Sequence, residues 1–139
     1  MVCAGNICRS PAAAAMLRAL APDIEVHSRG TQDWNIGKPA HPSITRLAAQ
    51  RGYDLSGHVA AQATADDLAW ADDILVMDAE NQAQLARRFP PNLVHNVRLL
   101  DPDGIPDPWL VDTDVAYTDA LDRVERAIRA YVPSLSAST

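Results

Sequence analysis

The sequence predicts one α/β domain over residues 1–139, three layers deep, with helices on both faces of a central parallel sheet. Short apolar stretches alternate with amphipathic ones of helical period. The apolar stretches have unbroken centres, as strands buried on both faces require. The residues able to do chemistry fall between strand-like and helix-like segments, where open α/β sheets hold their ligands.

Met1 and Val2 are all that precede a cysteine-bearing loop. Residues 10–20, SPAAAAMLRAL, predict a helix with Ser10 as N-cap and Pro11 at the first helical position. Residues 24–28, IEVHS, predict a short strand, and the Gly- and Pro-bearing stretch 30–42 a loop. Residues 42–52 predict a helix closed by Gly52. Thr64 caps a short helix over 64–71, whose Trp70 is expected in the core. Residues 72–78, DDILVMD, predict a buried strand; a helix over 79–89 and a strand over 96–100 follow. A Pro- and Asp-rich loop covers 101–113. The closing helix, 114–132, sets Val115, Leu121, Val124, Ile128 and Tyr131 on one face.

Composition narrows the function classes. The net charge is −6, with 11 Arg and a single Lys, Lys38, which argues against nucleic acid as a partner. No apolar run is long enough for a membrane helix, and no signal-peptide pattern is present. Two cysteines, both within the first eight residues, rule out a disulfide scaffold and suit a reducing, cytoplasmic setting. The four histidines, His27, His41, His58 and His95, have no metal-ligand spacing, so no metal or cofactor is expected. Arginine and alanine richness suggests a bacterial genome of high GC content.

The loop Cys3-Ala4-Gly5-Asn6-Ile7-Cys8-Arg9 runs into a helix start. Successive backbone N–H groups there form an anion nest, and the helix end adds partial positive charge. Gly5 permits positive φ and close approach to a ligand, and Asn6 tolerates the left-handed region. Arg9 offers a planar fork for two phosphate oxygens. The same field favours the thiolate of Cys3, which the Ser10 hydroxyl can stabilise. A bare Cys-x5-Arg is a weak pattern; Gly-Asn inside it and Ser-Pro after it serve the same geometry.

With these residues in view, VCAGNICRSP resembles the signature of the low-molecular-weight protein tyrosine phosphatases. IPDPW (105–109), HSRGT (27–31) and DLSGH (54–58) resemble that family's further motifs, in family order. The resemblance implies one phosphatase domain that hydrolyses phosphotyrosine and small aryl phosphates through a phosphocysteine. Cys3 is the implied nucleophile and Arg9 the transition-state clamp. The loop residues Ala4, Gly5, Asn6, Ile7 and Cys8 are the implied phosphate cradle. Asp101, Asp103, Asp107, Asp112 and Asp114 are all open to the general-acid role on composition; the resemblance selects Asp107. It also implies that Asn6, Ser10, Ser28 and His58 support the loop, that Trp34 and Trp109 wall the cleft, and that Cys8 pairs reversibly with Cys3 under oxidation. Ile7 stands where a relative acting on phosphoarginine carries Thr, which favours tyrosine. The implied partners are a phosphotyrosine protein as substrate and inorganic phosphate or similar oxyanions as product or inhibitors.

The chain departs from the family at Arg29, at Ala61 and at Trp109-Leu110, positions that bear on substrate preference and regulation. Two other functions share the loop: a thiol-coupled arsenate reductase and a non-catalytic phosphate- or phosphopeptide-binding module. The resemblance implies a sheet of four strands whose first, longer in family members than Met1-Val2, leads into the loop and is largely missing here. The natural chain is therefore expected to begin upstream, since a lost central strand would leave its neighbours unpaired.

Overall fold

The computed structural model describes residues 1–137, with side chains through Leu135. Four parallel strands form the sheet: β1 Val2–Cys3, β2 Arg29–Gly30, β3 Ile74–Val76 and β4 Val97–Leu99, in the order β2-β1-β3-β4. The helices are α1 Arg9–Leu20, α2 Pro42–Gln50, α3 Ala65–Trp70, α4 Ala79–Arg88, α5 Pro91–Val94 and α6 Asp114–Ala137, with a 3-10 turn at Pro108–Leu110. Successive strand residues face opposite ways, which splits the core in two. Cys3 and Leu75 join α1, α2 and α6 on one side, while Val2, Ile74 and Val76 meet Leu68 and Leu85 of α3 and α4 on the other.

The first strand is short but is not lost from the centre. Val2 registers with Arg29 on one side and Val76 on the other. The Met1 carbonyl accepts from Arg29 N–H, and the Val2 carbonyl accepts from Met77 N–H. The neighbours are thus paired, against the expectation. The strand expected at 24–28 forms only at Arg29–Gly30. Its ladder partner is Val2–Cys3, so only the residues opposite that short strand join the ladder. The strands expected at 72–78 and 96–100 shorten to three residues each for the same reason, pairing over Ile74–Val76 and Val97–Leu99.

Four further expectations change. Helix α1 begins at Arg9 with Cys8 at the cap position, and Ser10 lies inside the first turn, its hydroxyl turned to Cys3. Trp70 is exposed, stacked on His27 at 4.1 Å between ring centres, because α3 is a single short helix that buries only Leu68. Val115 is exposed; Tyr117 replaces it in the buried stripe with Leu121, Val124 and Ile128. Helix α6 also runs past Pro133 to Ala137. Gly52, with φ +88, does close α2 as its position predicts.

Candidate active site

The loop between β1 and α1 is built by fixing its carbonyls. The Cys3 and Ala4 carbonyls accept from the N–H groups of Thr31 and Gln32 at 2.9 and 3.1 Å. The Gly5 carbonyl accepts from Asn35 Nδ2 at 3.0 Å and the Asn6 carbonyl is bonded to His58 Nε2 at 2.6 Å. The Ile7 carbonyl accepts from His41 N–H at 2.8 Å, and the Cys8 carbonyl from Ala12 N–H at 3.2 Å. Six consecutive carbonyls are therefore held by the surrounding protein. A trans peptide sets each N–H opposite the preceding carbonyl, so the loop amides turn toward its interior. One of them, Asn6 N–H, already donates to Cys3 Sγ at 3.3 Å. The result is an anion cradle made of backbone, centred on the sulfur.

Asn6 is the residue that shapes it. It carries the positive φ of the loop, 57°, where the sequence pointed first to Gly5. Gly5 serves by lacking a side chain: a Cβ there would stand 2.8 Å from Asn35 Nδ2, the group that holds its carbonyl. The Asn6 side chain is buried and fully used. Its Nδ2 donates to Ser10 Oγ at 2.8 Å and Ser28 Oγ at 2.6 Å, and its Oδ1 accepts from Ala61 N–H at 2.9 Å. Ser10 Oγ stands 3.0 Å from Cys3 Sγ. Because it accepts from Asn6, the hydroxyl has its one proton to give, to the sulfur or to the Arg29 carbonyl at 3.4 Å. Burial holds the His58 imidazole below its usual pKa, outweighing the hydrogen bond to the Asn6 carbonyl, which acts the other way; the neutral ring donates from Nε2 to that carbonyl.

Arg9 is 2% exposed, and its charge is matched by named acceptors. Nη1 donates to Asp78 Oδ2 at 2.6 Å and to the Ile105 carbonyl at 2.7 Å, while Nη2 lies 3.7 Å from Asp107 Oδ2. Burial alone would lower the guanidinium pKa. The charge of Cys3, the Asp78 hydrogen bond and Asp107 outweigh it, and the net shift is upward. Cys8 is buried among the same charges. Burial first, then the charges of Cys3 and Asp107, push its thiol up, so it stays protonated.

A cavity of about 510 Å³ opens over the loop. Cys3, Gly5, Asn6, Ile7, Cys8 and Arg9 form its floor, Trp34 and Trp109 stand at its rim, and Asp107 reaches its edge. Ala4 does not line it. Asp107 caps the turn Pro108–Leu110, accepting from Trp109 N–H at 3.1 Å, with its carboxylate partly open to solvent. The residues named from sequence thus converge on one cavity, or directly behind it in the case of Ser10, Ser28 and His58. Four contributors escaped that reading: Asp78, Asn35, His41 and the Ile105 carbonyl. Asp78 had a visible signal, since it ends an apolar run at a strand-to-helix junction and forms a capping box with Asn81. The others act through fold contacts that no local pattern records. A second cavity, about 410 Å³, lies at the other end of the strands among His27, Trp70, Asp73 and Tyr131.

With this geometry in hand, comparisons with known proteins agree on one group. The model of the family described as "Low molecular weight phosphotyrosine protein phosphatase" matches residues 1–139. A probable low molecular weight protein-tyrosine-phosphatase, EpsP of Ralstonia nicotianae, is 37% identical over 139 residues, covering 99% of this chain and 94% of that one. The Bacillus subtilis low molecular weight protein-tyrosine-phosphatase YfkJ is 37% identical over 145 residues, covering 99% and 92%. Among solved structures, Vibrio vulnificus Wzb in complex with benzylphosphonate superposes with a TM-score of 0.90 at 29% identity, covering 96% of this chain and 94% of that one.

Proposed function

The chain belongs to the low molecular weight phosphotyrosine protein phosphatases, and from that premise we propose that Cys3, Arg9 and Asp107 carry the hydrolysis. It is a phosphatase; the thiol-coupled arsenate reductase and the non-catalytic binding module have no support among its relatives. The observation that carries the residue assignment is the cradle: six carbonyls turned outward around Cys3 Sγ, with Arg9 closing the ring.

A phosphoryl group seated there meets inward amides and the buried guanidinium, both aimed at its equatorial oxygens. The Cys3 thiolate attacks phosphorus in line, the S–P bond forms and the ester P–O bond breaks. Asp107, entering as the acid, gives its proton to the departing phenolate. The resulting carboxylate then takes a proton from water, whose oxygen attacks phosphorus as the S–P bond breaks. Inorganic phosphate and the thiolate are released. Trp34 and Trp109, both more than half exposed, offer apolar faces to the aromatic ring of the substrate. Benzylphosphonate, the ligand of the Vibrio vulnificus relative, joins the same two elements, a phosphonate and an aromatic ring.

Phosphotyrosine-bearing protein is the proposed substrate, inorganic phosphate and similar oxyanions the proposed product and inhibitors, and the cytoplasm the proposed location, where both thiols stay reduced. Among the described residues no helix is long and apolar enough to cross a membrane. Under a peroxide, Cys3 goes to the sulfenic acid, and the protonated Cys8 thiol condenses with it to a disulfide, releasing water.

The deciding experiment compares wild type with Cys3→Ser on a phosphotyrosine peptide. Expected is a fall in kcat of about 10³-fold or more, with a phosphocysteine trapped only in the wild type. Equal turnover by both proteins would remove the assignment.

A further inference from the structure

The general-acid loop is tied to the phosphate loop through residues that touch no reacting atom. The cavity-side wall continues behind Trp109 into a compact cluster of His41, Asp112 and Tyr117. Tyr117, on α6, is 1% exposed, and its ring stacks on His41 with centres 4.8 Å apart. Its hydroxyl donates to Asp112 Oδ1 at 2.7 Å and lies 3.2 Å from His41 Nε2. A phenol has one proton, and Asp112 takes it; burial and that hydrogen bond hold the phenol protonated. The proton between the ring and Tyr117 must therefore come from His41. The other ring nitrogen agrees, since Nδ1 accepts from Ser43 N–H at 3.2 Å and is the unprotonated one.

The two ends of this chain of bonds fall at meaningful places. His41 N–H holds the Ile7 carbonyl, one of the six that shape the cradle. Asp112 ends the turn that Asp107 begins: Pro108 O accepts from both Val111 N–H and Asp112 N–H, at 3.2 and 2.8 Å. Asp112 also carries φ 56°, uncommon outside Gly and Asn, a conformation that costs energy and is kept where surrounding contacts over-determine it. On the other side of Asp107 the loop is anchored by the Ile105 carbonyl on Arg9 and Ile105 N–H on the Met77 carbonyl. Asp107 thus sits between two anchors, one of which is Asp112.

We propose that the His41–Tyr117–Asp112 chain of hydrogen bonds is a clasp that sets the distance of Asp107 from the phosphate loop, with Tyr117 as its positioning residue. The clasp rests on the reading of Asp107 as the general acid. Its function is to couple the register of the acid to the cradle, so that the proton donor stands over the leaving oxygen of whatever the cradle holds. A clasp of this kind leaves phosphate binding alone and acts only where proton donation matters.

That distinction is measurable. Phenyl phosphate releases a phenol as basic as that of tyrosine and needs the proton; 4-nitrophenyl phosphate releases a stabilised phenolate and needs it far less. Tyr117→Phe keeps the buried ring and removes the hydroxyl. Expected is a fall in kcat/KM of about 5- to 10-fold on phenyl phosphate and under about 2-fold on 4-nitrophenyl phosphate, with inhibition by inorganic phosphate unchanged. Asp112→Gly, which suits the positive φ, gives the same selectivity, and the double variant is no worse than the poorer single one, since the Tyr117–Asp112 bond that Asp112→Gly breaks is already lost with the Tyr117 hydroxyl. Equal losses on both substrates, or none, from Tyr117→Phe overturn the clasp. Asp107→Asn run alongside separates the two ideas. If it discriminates between the substrates and Tyr117→Phe does not, the clasp alone falls; if Asp107→Asn fails to discriminate, the assignment of the acid falls and takes the clasp with it.

Discussion

The phosphate loop and the acid loop face each other across one cavity and are held in opposite ways. Between Cys3 and Cys8 every carbonyl is bonded to the protein around it, and Asn6, Arg9 and Ser10 are almost wholly buried. Between Ile105 and Asp112 the chain is pinned at its two ends, while Trp109, Leu110 and Val111 stand well out in solvent. The contrast follows from what each must do. Catalysis by fixed dipoles gains only if they need not reorganise when charge develops, so the cradle is frozen in advance. A residue that first gives a proton and later takes one from water must stay accessible, and Asp107, proposed for that role, is anchored at a distance and left open.

The sharpest way to break this contrast is at Arg9, the one side chain that serves both regions. Arg9→Lys keeps a charge but cannot hold Asp78, the Ile105 carbonyl and a phosphate together. Expected is a loss of kcat/KM of about 10²- to 10³-fold on any aryl phosphate, read by steady-state kinetics. A loss below tenfold would mean that the amides alone carry the transition state. A smaller effect is expected from loosening only the rigid side. Asn6→Ala strands Ser10, Ser28 and the Ala61 N–H and places Ala at positive φ, for a destabilisation of about 3 kcal/mol in denaturant unfolding. The smallest effect belongs to the open side. Leu110→Ser removes an apolar side chain that is 77% exposed, so stability should shift by no more than about 0.5 kcal/mol. A clear drop in stability there would show the acid loop to be as tightly built as the cradle.

Much of this site is legible in the chain because its chemistry is local. Cys3 through Arg9 is one contiguous segment, and a loop that feeds amides and a helix start to an anion needs Gly, Asn and Arg at fixed spacing. Asp107 could be placed only by resemblance, because five aspartates in one stretch look alike until one of them is set 3.7 Å from Arg9. Errors cluster where pairing decides. The strand expected at 24–28 has the right composition, but its ladder follows the two residues of β1. Trp70 and Val115 have core-like side chains left exposed, Trp70 with only the surface ring of His27 stacked on it, whereas Tyr117 is taken inside with its ring on His41.

Fold class, strand-and-helix order and the loop from Cys3 to Arg9 are written in local pattern: period, capping, turn chemistry and one dense motif. The roles of Asp78, Asn35, His41 and Tyr117 are not, because each acts by a hydrogen bond to a residue at least thirty positions away, or by a backbone carbonyl delivered by another element. Such bonds form only once the sheet order β2-β1-β3-β4 has brought those segments to one end of the strands. Sequence pattern reports which groups can do chemistry; the packed sheet decides which of them meet, since only there are water and alternative partners excluded.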